Sequence, residues 1–223
     1  MPRSSRTTRR KFIGSLAALA IAGRTLFRSG DVRAALSEAR AGEGPILPKM
    51  TYRRLGKTNF MGSRLVFGCG AALSGDPRDE LLERAFDAGV NVFDVGTRRY
   101  YKNAELNLRP FLKKHRDEIL LISKASPYID IEPSAKVSVA QAKQGARTWL
   151  GLLDQSLSEL GVDHVDAYYL MASNNPSIIQ SDEIYEAFLQ AKKAGKTSHW
   201  GLSTHENASN VLTAAAATNR FSL

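Results

Sequence analysis

Two charged residues that could carry out acid–base chemistry each close a short apolar run. Asp94 ends the run Asn91–Phe93, and Lys124 ends the run Ile119–Ser123. Apolar runs of this length are typical of strands in a parallel sheet, which is covered on both faces. Because the carboxyl ends of parallel barrel strands line the mouth where active sites form, we expect this carboxylate and this ammonium to meet there. Such a pair holds both groups charged and can tune a nearby phenol as a proton donor.

The sequence around these residues alternates between strands and helices. The pattern predicts strands at 65–70, 90–95, 118–125, 165–170 and 198–203, with a sixth beginning at Phe221, and helices at 78–88, 104–114, 141–160, 182–194 and 208–217. Strict alternation indicates a parallel α/β sheet with right-handed crossovers. The turn after the first strand, GCGAAL (residues 68–73), lacks the third glycine of a dinucleotide-binding turn. The sequence therefore favours a (β/α) barrel over a Rossmann domain.

Four stretches in the same order resemble the aldo/keto reductase family. YRRLGKT (residues 52–58) resembles the family's hairpin at the barrel floor, and AGVNVFD (88–94) resembles its signature "AGINFFDTA". LSELGVDHVD (157–166) resembles "SLxxLGxDYxD", and AGKTSHWGLSTH (194–205) resembles "GKIRxxGVSTH". The resemblance covers residues 51–223 and implies a parallel (β/α)₈ TIM-type barrel. About 170 residues against the roughly 250 of a typical barrel predict an incomplete one, with about five of eight units.

The resemblance implies a catalytic group of Asp, Tyr, Lys and His, in which Asp94 and Lys124 occupy the family positions. An ion pair that merely closes the barrel mouth is the alternative interpretation of these two residues. The family Tyr lies five residues after the Asp, where this chain has Arg99, so the loop carries an insertion. Tyr101 is the preferred proton donor because YKNAE (101–105) resembles "YGNSE"; Tyr100 remains the alternative. Pairing with Lys124 is expected to lower the pKa of this phenol.

The family histidine is replaced in this chain. Where the family has "YxLH", the chain has Tyr169-Leu170-Met171, and the Met171 thioether cannot donate a hydrogen bond to a carbonyl oxygen. Loss of such a donor weakens stabilisation of the oxyanion that forms. His164 precedes the strand and is expected at the barrel floor, whereas His205 follows the fifth strand and could substitute.

The resemblance also implies NADP(H) as cofactor and a small aldehyde or ketone as substrate. Ser203 and Thr204 occupy the positions at which the family has a Ser and an Asn that hold the nicotinamide carboxamide. The last two strand–helix units, which grip the cofactor's phosphates and adenine in the family, are expected to be missing. The single cysteine, Cys69, allows neither an intramolecular disulfide nor a cysteine-ligated iron–sulfur cluster, and we predict no metal site.

The N-terminus predicts export. Thr8–Gly14, followed by a short apolar stretch, resembles a bacterial twin-arginine signal, which leads folded proteins out of the cytoplasm through the twin-arginine machinery. We expect a signal segment at residues 1–34, with cleavage near Ala34 or Ala39, a linker at 35–50 and the barrel at 51–223. Residues 1–50 carry ten Lys and Arg against three Asp and Glu, which is +7 of the net +9. The high charge therefore belongs to the leader and predicts no nucleic-acid partner.

Two functions fit these observations. The first is an NADP-dependent oxidoreductase, periplasmic or otherwise extracytoplasmic, which transfers hydride between NADPH and an aldehyde or ketone and is expected to be impaired in so short a chain. The second is a catalytically weakened barrel that binds a ligand or a partner. Asp94, Lys124 and the neighbouring tyrosines favour the first, and Met171 with the altered Asp-to-Tyr spacing favours the second.

Overall fold

The computed structural model describes residues 49–223. Contacts between Cα atoms group Lys49–Leu223 into one compact unit. The predicted signal segment at residues 1–34 and almost all of the predicted linker lie outside the described residues. The predicted barrel region, residues 51–223, lies within the part of the chain that the structure describes.

A parallel sheet of five strands forms the centre of this unit. The strands follow one another across the sheet in chain order, and every neighbouring pair is parallel. This is the strand order of a barrel, whereas a Rossmann sheet reverses its order part-way. The predicted α/β barrel class, with five of eight units, is confirmed. The five strands are β3 (Phe67–Gly68), β4 (Val92–Asp94), β5 (Leu120–Ala125), β6 (Val165–Leu170) and β7 (Thr197–Leu202).

The chain enters the sheet through a hairpin and surrounds it with helices. The hairpin strands β1 (Tyr52–Arg54) and β2 (Met61–Ser63) pair antiparallel. The five predicted helices are present with ends shifted by at most two residues, and three short helices join them. Within residues 49–223, no helix is both long and apolar enough to cross a membrane. In chain order the helices are α1 (Cys69–Ala72), α2 (Asp79–Asp87), α3 (Arg98–Tyr101), α4 (Ala104–His115), α5 (Val139–Leu160), α6 (Pro176–Ile179), α7 (Asp182–Lys193) and α8 (Ala208–Thr218).

The longest helix, α5, has clear start and stop signals. Ser138 accepts a hydrogen bond from the Gln141 amide, and the Gln141 side chain accepts one from the Ser138 amide, which together make a capping box. Gly161 ends the helix in the left-handed conformation, with φ of 68°, which glycine adopts without steric cost. These signals fix the point at which the chain returns to β6.

The sheet separates two apolar cores. Its outer face packs against the helices, and the buried Trp149 of α5 contacts Tyr168 of β6 with ring centroids 4.8 Å apart. Its inner face carries a smaller cluster, which Leu55 and Phe60 from the hairpin cover. The predicted hairpin at the barrel floor is thus confirmed as a plug on the inner face. The buried members of the inner cluster are Val92, Leu120, Ile122 and Ala167.

The two ends of the predicted sheet differ from the expectation. The first strand is only two residues long, because Cys69 already begins α1 and Leu65 and Val66 are exposed. No strand is assigned at Phe221, although the Ser222 amide donates to the Trp200 carbonyl at 2.8 Å. The Phe221 ring stacks on Trp200 with centroids 4.1 Å apart. At both edges of the described sheet, the paired strand segments are therefore shorter than the apolar runs predict.

Glu105 on α4 is a buried carboxyl on the outer face of the sheet. Only 1% of the residue is exposed, and its Oε1 accepts a hydrogen bond from Ser123 Oγ of β5 at 2.7 Å. Its Oε2 has no hydrogen-bond partner within residues 49–223. Burial raises the pKa of Glu105 to about 7; the Ser123 hydroxyl, Ser156 and Arg98 oppose this rise, and Glu159 of α5 adds to it. The folded chain therefore favours the protonated acid.

Glu105→Gln is expected to be more stable than the unchanged chain at pH 8 but not at pH 4.5. The folded pKa lies above the unfolded one, so stability is fully present below pH 4.5 and is lost as the pH rises to about 7. The neutral amide escapes this loss, which amounts to about 3 kcal/mol. Urea unfolding across this pH range measures it, with the exposed Glu186→Gln as control. A constant difference between the Glu105→Gln and unchanged chains at all pH values would contradict the prediction.

Candidate active site

Asp94 and Lys124 form a two-pronged ion pair where their strands end. Lys124 Nζ lies 2.6 Å from Asp94 Oδ1 and 2.5 Å from Oδ2. The Lys124 side chain is 8% exposed and that of Asp94 is 30% exposed, so the pair faces open space on the carboxylate side. The predicted meeting of the two side chains at the mouth is confirmed. Burial raises the pKa of Asp94, and the Lys124 ammonium opposes this rise.

Cys69 lies close to the ion pair but is closed off from solvent. Its exposure is 0%, and its Sγ donates to the Phe67 carbonyl at 3.7 Å. Burial, and secondarily the Asp94 carboxylate, raises the pKa of the thiol far above its ordinary value. A thiol held protonated in this way is a poor nucleophile and a poor metal ligand. Among residues 49–223, no three His, Cys, Asp or Glu side chains are grouped so that they could hold a metal ion.

Tyr101 is the tyrosine that the fold brings to the ion pair. Lys124 Nζ lies 5.4 Å from the centroid of its ring. The ring lies against two glycines, because a Cβ at Gly70 would collide with it and one at Gly96 would lie 3.0 Å from its Cε2. The Gly96 backbone is also close to the Lys124 side chain, because a Cβ added at Gly96 would lie 2.9 Å from Lys124 Cγ. Small residues on both sides thus create a slot for this phenol.

Tyr100 points elsewhere. It is 44% exposed and stacks on Tyr128, with ring centroids 6.4 Å apart. Tyr128 follows β5, and the Arg99 guanidinium lies over its ring, 4.2 Å from the centroid. Of the two tyrosines that the sequence left open, the geometry therefore favours Tyr101 as the one beside Lys124.

The expected lowering of the Tyr101 pKa is not seen. Burial raises this pKa, and the Asp94 carboxylate and Tyr100 raise it further. The nearby ammonium is held tightly by Asp94, so little of its positive charge reaches the phenol. Tyr101 therefore remains protonated through the neutral pH range, which is the state that a proton donor needs.

A helical turn explains the insertion between Asp94 and the tyrosine. The Thr97 amide donates to the Lys124 carbonyl at 3.2 Å, which ties the loop to β5. The Tyr101 amide then donates to the Thr97 carbonyl at 3.1 Å, closing the single turn of α3. This turn accommodates the two additional residues and places residue 101, rather than residue 99, over the site.

Met171 directly follows β6, which pairs with β5, the strand that carries Lys124. Its amide donates to the Ala125 carbonyl at 2.9 Å, and the residue is 4% exposed. His164 lies before β6, where its Nδ1 contacts the Gly195 carbonyl at 2.7 Å, so it is at the floor as expected. His205 is exposed beyond β7. Within residues 49–223 neither histidine hydrogen-bonds with Asp94 or Lys124, and a thioether remains at the family position.

Tyr169 is a second phenol on the inner face, which the sequence interpretation missed. It packs against the inner cluster, and in the sheet register it is opposite Lys124 on one side and Gly201 on the other. A Cβ at Gly201 would collide with the Tyr169 ring, so glycine makes room for it. Burial, with the Asp94 carboxylate, raises the pKa of Tyr169 to about 12. The alternation in β6, with Ala167 and Tyr169 inward, was the available signal.

Comparisons with known proteins identify the family of this chain. A sequence profile of the Aldo/keto reductase family matches residues 61–221. The chain belongs to the aldo/keto reductase family. Two Escherichia coli proteins, from strains K12 and O157:H7, both named L-glyceraldehyde 3-phosphate reductase, are each 28% identical over 170 residues. The match covers 70% of this chain and 46% of each relative, so the chain spans about half the length of the curated relatives that it matches.

Solved structures show the same fold. Two structures of Pseudomonas aeruginosa proteins assigned as aldo-keto reductases superpose with TM-scores of 0.54 and 0.53, at 24% and 25% identity. Each match covers 69% of this chain, and 59% and 60% of the two structures. The chain thus corresponds to about three-fifths of each of these structures.

The nicotinamide positions of the family fall at the same edge as the ion pair. Ser203 follows β7, and its Oγ accepts from the Ala172 amide at 3.3 Å, which leaves its own hydrogen free to be donated. Thr204 donates its hydroxyl to the Glu206 carbonyl at 2.6 Å and retains only acceptor capacity. Ser173 adds a buried hydroxyl without a partner in residues 49–223, and its amide donates to the Ser203 carbonyl at 2.9 Å. The free hydrogen of Ser203 and the acceptor of Thr204 are the two groups that could bind a carboxamide.

Proposed function

We propose that the protein is an NADP-dependent oxidoreductase that transfers hydride reversibly between NADPH and an aldehyde or ketone. The observation that carries this proposal is the Asp94–Lys124 ion pair with the Tyr101 ring 5.4 Å from the ammonium, at the mouth of the sheet. Family membership supports an oxidoreductase. The cofactor preference, the substrate and the activity of the whole protein are part of the proposal.

The site residues divide the chemistry between them. The Tyr101 hydroxyl donates its proton to the carbonyl oxygen as the carbon accepts a hydride, and the phenol regains a proton from water afterwards. Asp94 holds the Lys124 ammonium in place and charged beside the ring of the proton donor. When bound, NADPH supplies the hydride and leaves as NADP⁺. Ser203 and Thr204 would hold its carboxamide.

The substrate class that we propose is a small carbonyl compound. The Escherichia coli relatives are named for reduction of L-glyceraldehyde 3-phosphate. At 28% identity and 46% coverage, this resemblance supports an aldehyde and leaves the individual substrate open to assay. We therefore place glyceraldehyde, its 3-phosphate and an aromatic aldehyde in the test set.

The test is a reduction assay on the protein encoded by the complete reading frame. Loss of dihydronicotinamide absorbance is followed with each aldehyde, using NADPH and NADH in parallel. We expect aldehyde-dependent oxidation of NADPH that is faster than that of NADH. Tight binding of NADPH with no turnover of any carbonyl would overturn the proposal.

Met171 favours a second candidate, a barrel that binds a ligand or partner without turning it over. A thioether in place of a hydrogen-bond donor removes stabilisation that typically contributes a factor of about 10²–10³ in rate. The same assay separates the two functions, because a binding protein shows fluorescence quenching by NADPH without consuming it.

We also propose export by the twin-arginine route, on the basis of Arg9 and Arg10 before the apolar stretch. Residues 1–48 fused to a folded fluorescent protein are expected to carry it into the bacterial periplasm. Replacing the pair by Lys-Lys should retain it in the cytoplasm. Equal periplasmic amounts of both fusions in cell fractions would contradict the twin-arginine interpretation.

A further inference from the structure

The site contains a second phenol whose hydroxyl has no role so far. Tyr169 lies two residues before Met171 on β6 and directly opposite Lys124 in the register. It belongs to the same inner face as the ion pair, since its neighbours Val92, Ile122 and Ala167 form the inner cluster. The hydroxyl makes no hydrogen bond to any of residues 49–223 and is not sealed off from solvent.

We propose that the Tyr169 hydroxyl donates the hydrogen bond to the substrate's carbonyl oxygen that Met171 cannot donate. This role rests on the reductase activity proposed above. Tyr169 keeps its proton throughout, while Tyr101 transfers one. Tyr101 comes from α3, and Tyr169 comes from β6, next to the strand that carries Lys124.

Three observations indicate that the Tyr169 side chain is held in place and protonated. The ring is confined on one side by Gly201, where any larger side chain would occupy its position. The β6 backbone is fixed, because Trp149 Nε1 donates to the Tyr169 carbonyl at 3.3 Å. Burial and the Asp94 carboxylate hold the pKa of the phenol at about 12, so it stays a donor across the physiological range. The side chain is thus preorganised and protonated, as stabilisation of a developing oxyanion requires.

The neighbouring residue provides a matched control. Tyr168 is on the same strand but on the opposite face, fully buried against Trp149. Its hydroxyl also lacks a partner among the described residues. Removing either hydroxyl as Tyr→Phe changes the same atoms on the same strand, and only Tyr169 lies on the inner face, in register with Lys124.

Tyr169→Phe is expected to lower kcat by about 10²-fold, with KM little changed, because one oxyanion donor is lost. Tyr168→Phe should leave kcat unchanged. Met171→His is expected to raise kcat at least about tenfold in the Tyr169→Phe background, and much less in the unchanged protein, because the donor is then already present. Steady-state kinetics on the protein from the complete reading frame, with NADPH and an aldehyde, provide these values.

Each alternative outcome has a distinct meaning. No reduction by the unchanged protein would overturn the proposed function, and this role with it. Reduction that is lost in Tyr101→Phe but unaffected by Tyr169→Phe would overturn only this role, as would an equal gain from Met171→His in both backgrounds.

A second measurement requires no turnover. With 3-fluorotyrosine in the 223-residue chain, the ¹⁹F resonance assigned by Tyr169→Phe should titrate at a lower pH in the Asp94→Asn variant, because the carboxylate no longer raises the pKa. A Tyr169 titration unaffected by Asp94→Asn would show that this hydroxyl does not face the ion pair, and would overturn the proposal.

Discussion

Tyr101→Phe is expected to abolish nearly all carbonyl reduction, lowering kcat by about 10²–10⁴-fold, the range typical of a lost general acid. The phenylalanine ring fits the same slot between Gly70 and Gly96, so NADPH binding and folding should be retained. Tyr100→Phe is the matched control, because Tyr100 is exposed and stacks on Tyr128 away from Lys124. Steady-state rates with NADPH and an aldehyde provide the comparison.

The pH profile of the unchanged protein adds an independent check. The protonated donor is lost as the pH rises through the folded pKa of Tyr101, which burial and Asp94 hold above the ordinary value for tyrosine. The alkaline limb of kcat should therefore lie above the usual range of a tyrosine hydroxyl. A larger loss of rate in Tyr100→Phe than in Tyr101→Phe would show that the donor has been assigned to the wrong residue.

Lys124→Met is expected to affect both activity and stability. It leaves the largely buried Asp94 carboxylate without its partner, and breaking a buried pair typically costs about 3–5 kcal/mol. Because the Asp94 side chain is 30% exposed, we expect a smaller loss of about 2 kcal/mol at neutral pH. Urea unfolding measures the free energy, and we expect carbonyl reduction to fall by about 10²-fold or more.

The pH dependence distinguishes an unpaired charge from a simple packing defect. Without Lys124, the pKa of Asp94 rises further, so its penalty is greatest at neutral pH and disappears as the pH falls and the carboxyl is protonated. The double variant Asp94→Asn/Lys124→Met should recover most of the stability but none of the activity. Lys196→Met, which breaks the exposed Lys196–Asp154 pair, should cost less than about 1 kcal/mol. A double variant as unstable as Lys124→Met would contradict this account.

The sequence was sufficient for the fold because its local signals agree with one another. Apolar runs that end in a charged residue predicted the strands, and Gly161 and Gly195 predicted helix ends. Both glycines have a positive φ in the structure. The Asp94–Lys124 contact followed from parallel strands alone, since adjacent strand ends lie at the same edge.

Two features of the site depend on tertiary contacts and so could not be predicted. The single turn of α3 is too short for a sequence pattern, and the Thr97–Lys124 backbone contact holds it in place. This is why the choice between Tyr100 and Tyr101 stayed open. The alternation in β6 was a signal for Tyr169, but only tertiary contacts show which of the adjacent Tyr168 and Tyr169 faces inward.

The most direct test of the central claim follows the hydride itself. The protein from the complete reading frame is incubated with an aldehyde and NADPH carrying deuterium at both nicotinamide C4 positions, and the alcohol is analysed by mass spectrometry. A site built on Asp94, Lys124 and Tyr101 predicts one deuterium on the carbinol carbon of the product and almost no alcohol with Tyr101→Phe. Alcohol without deuterium, or an undiminished yield from Tyr101→Phe, would contradict the assignment of this site to carbonyl reduction.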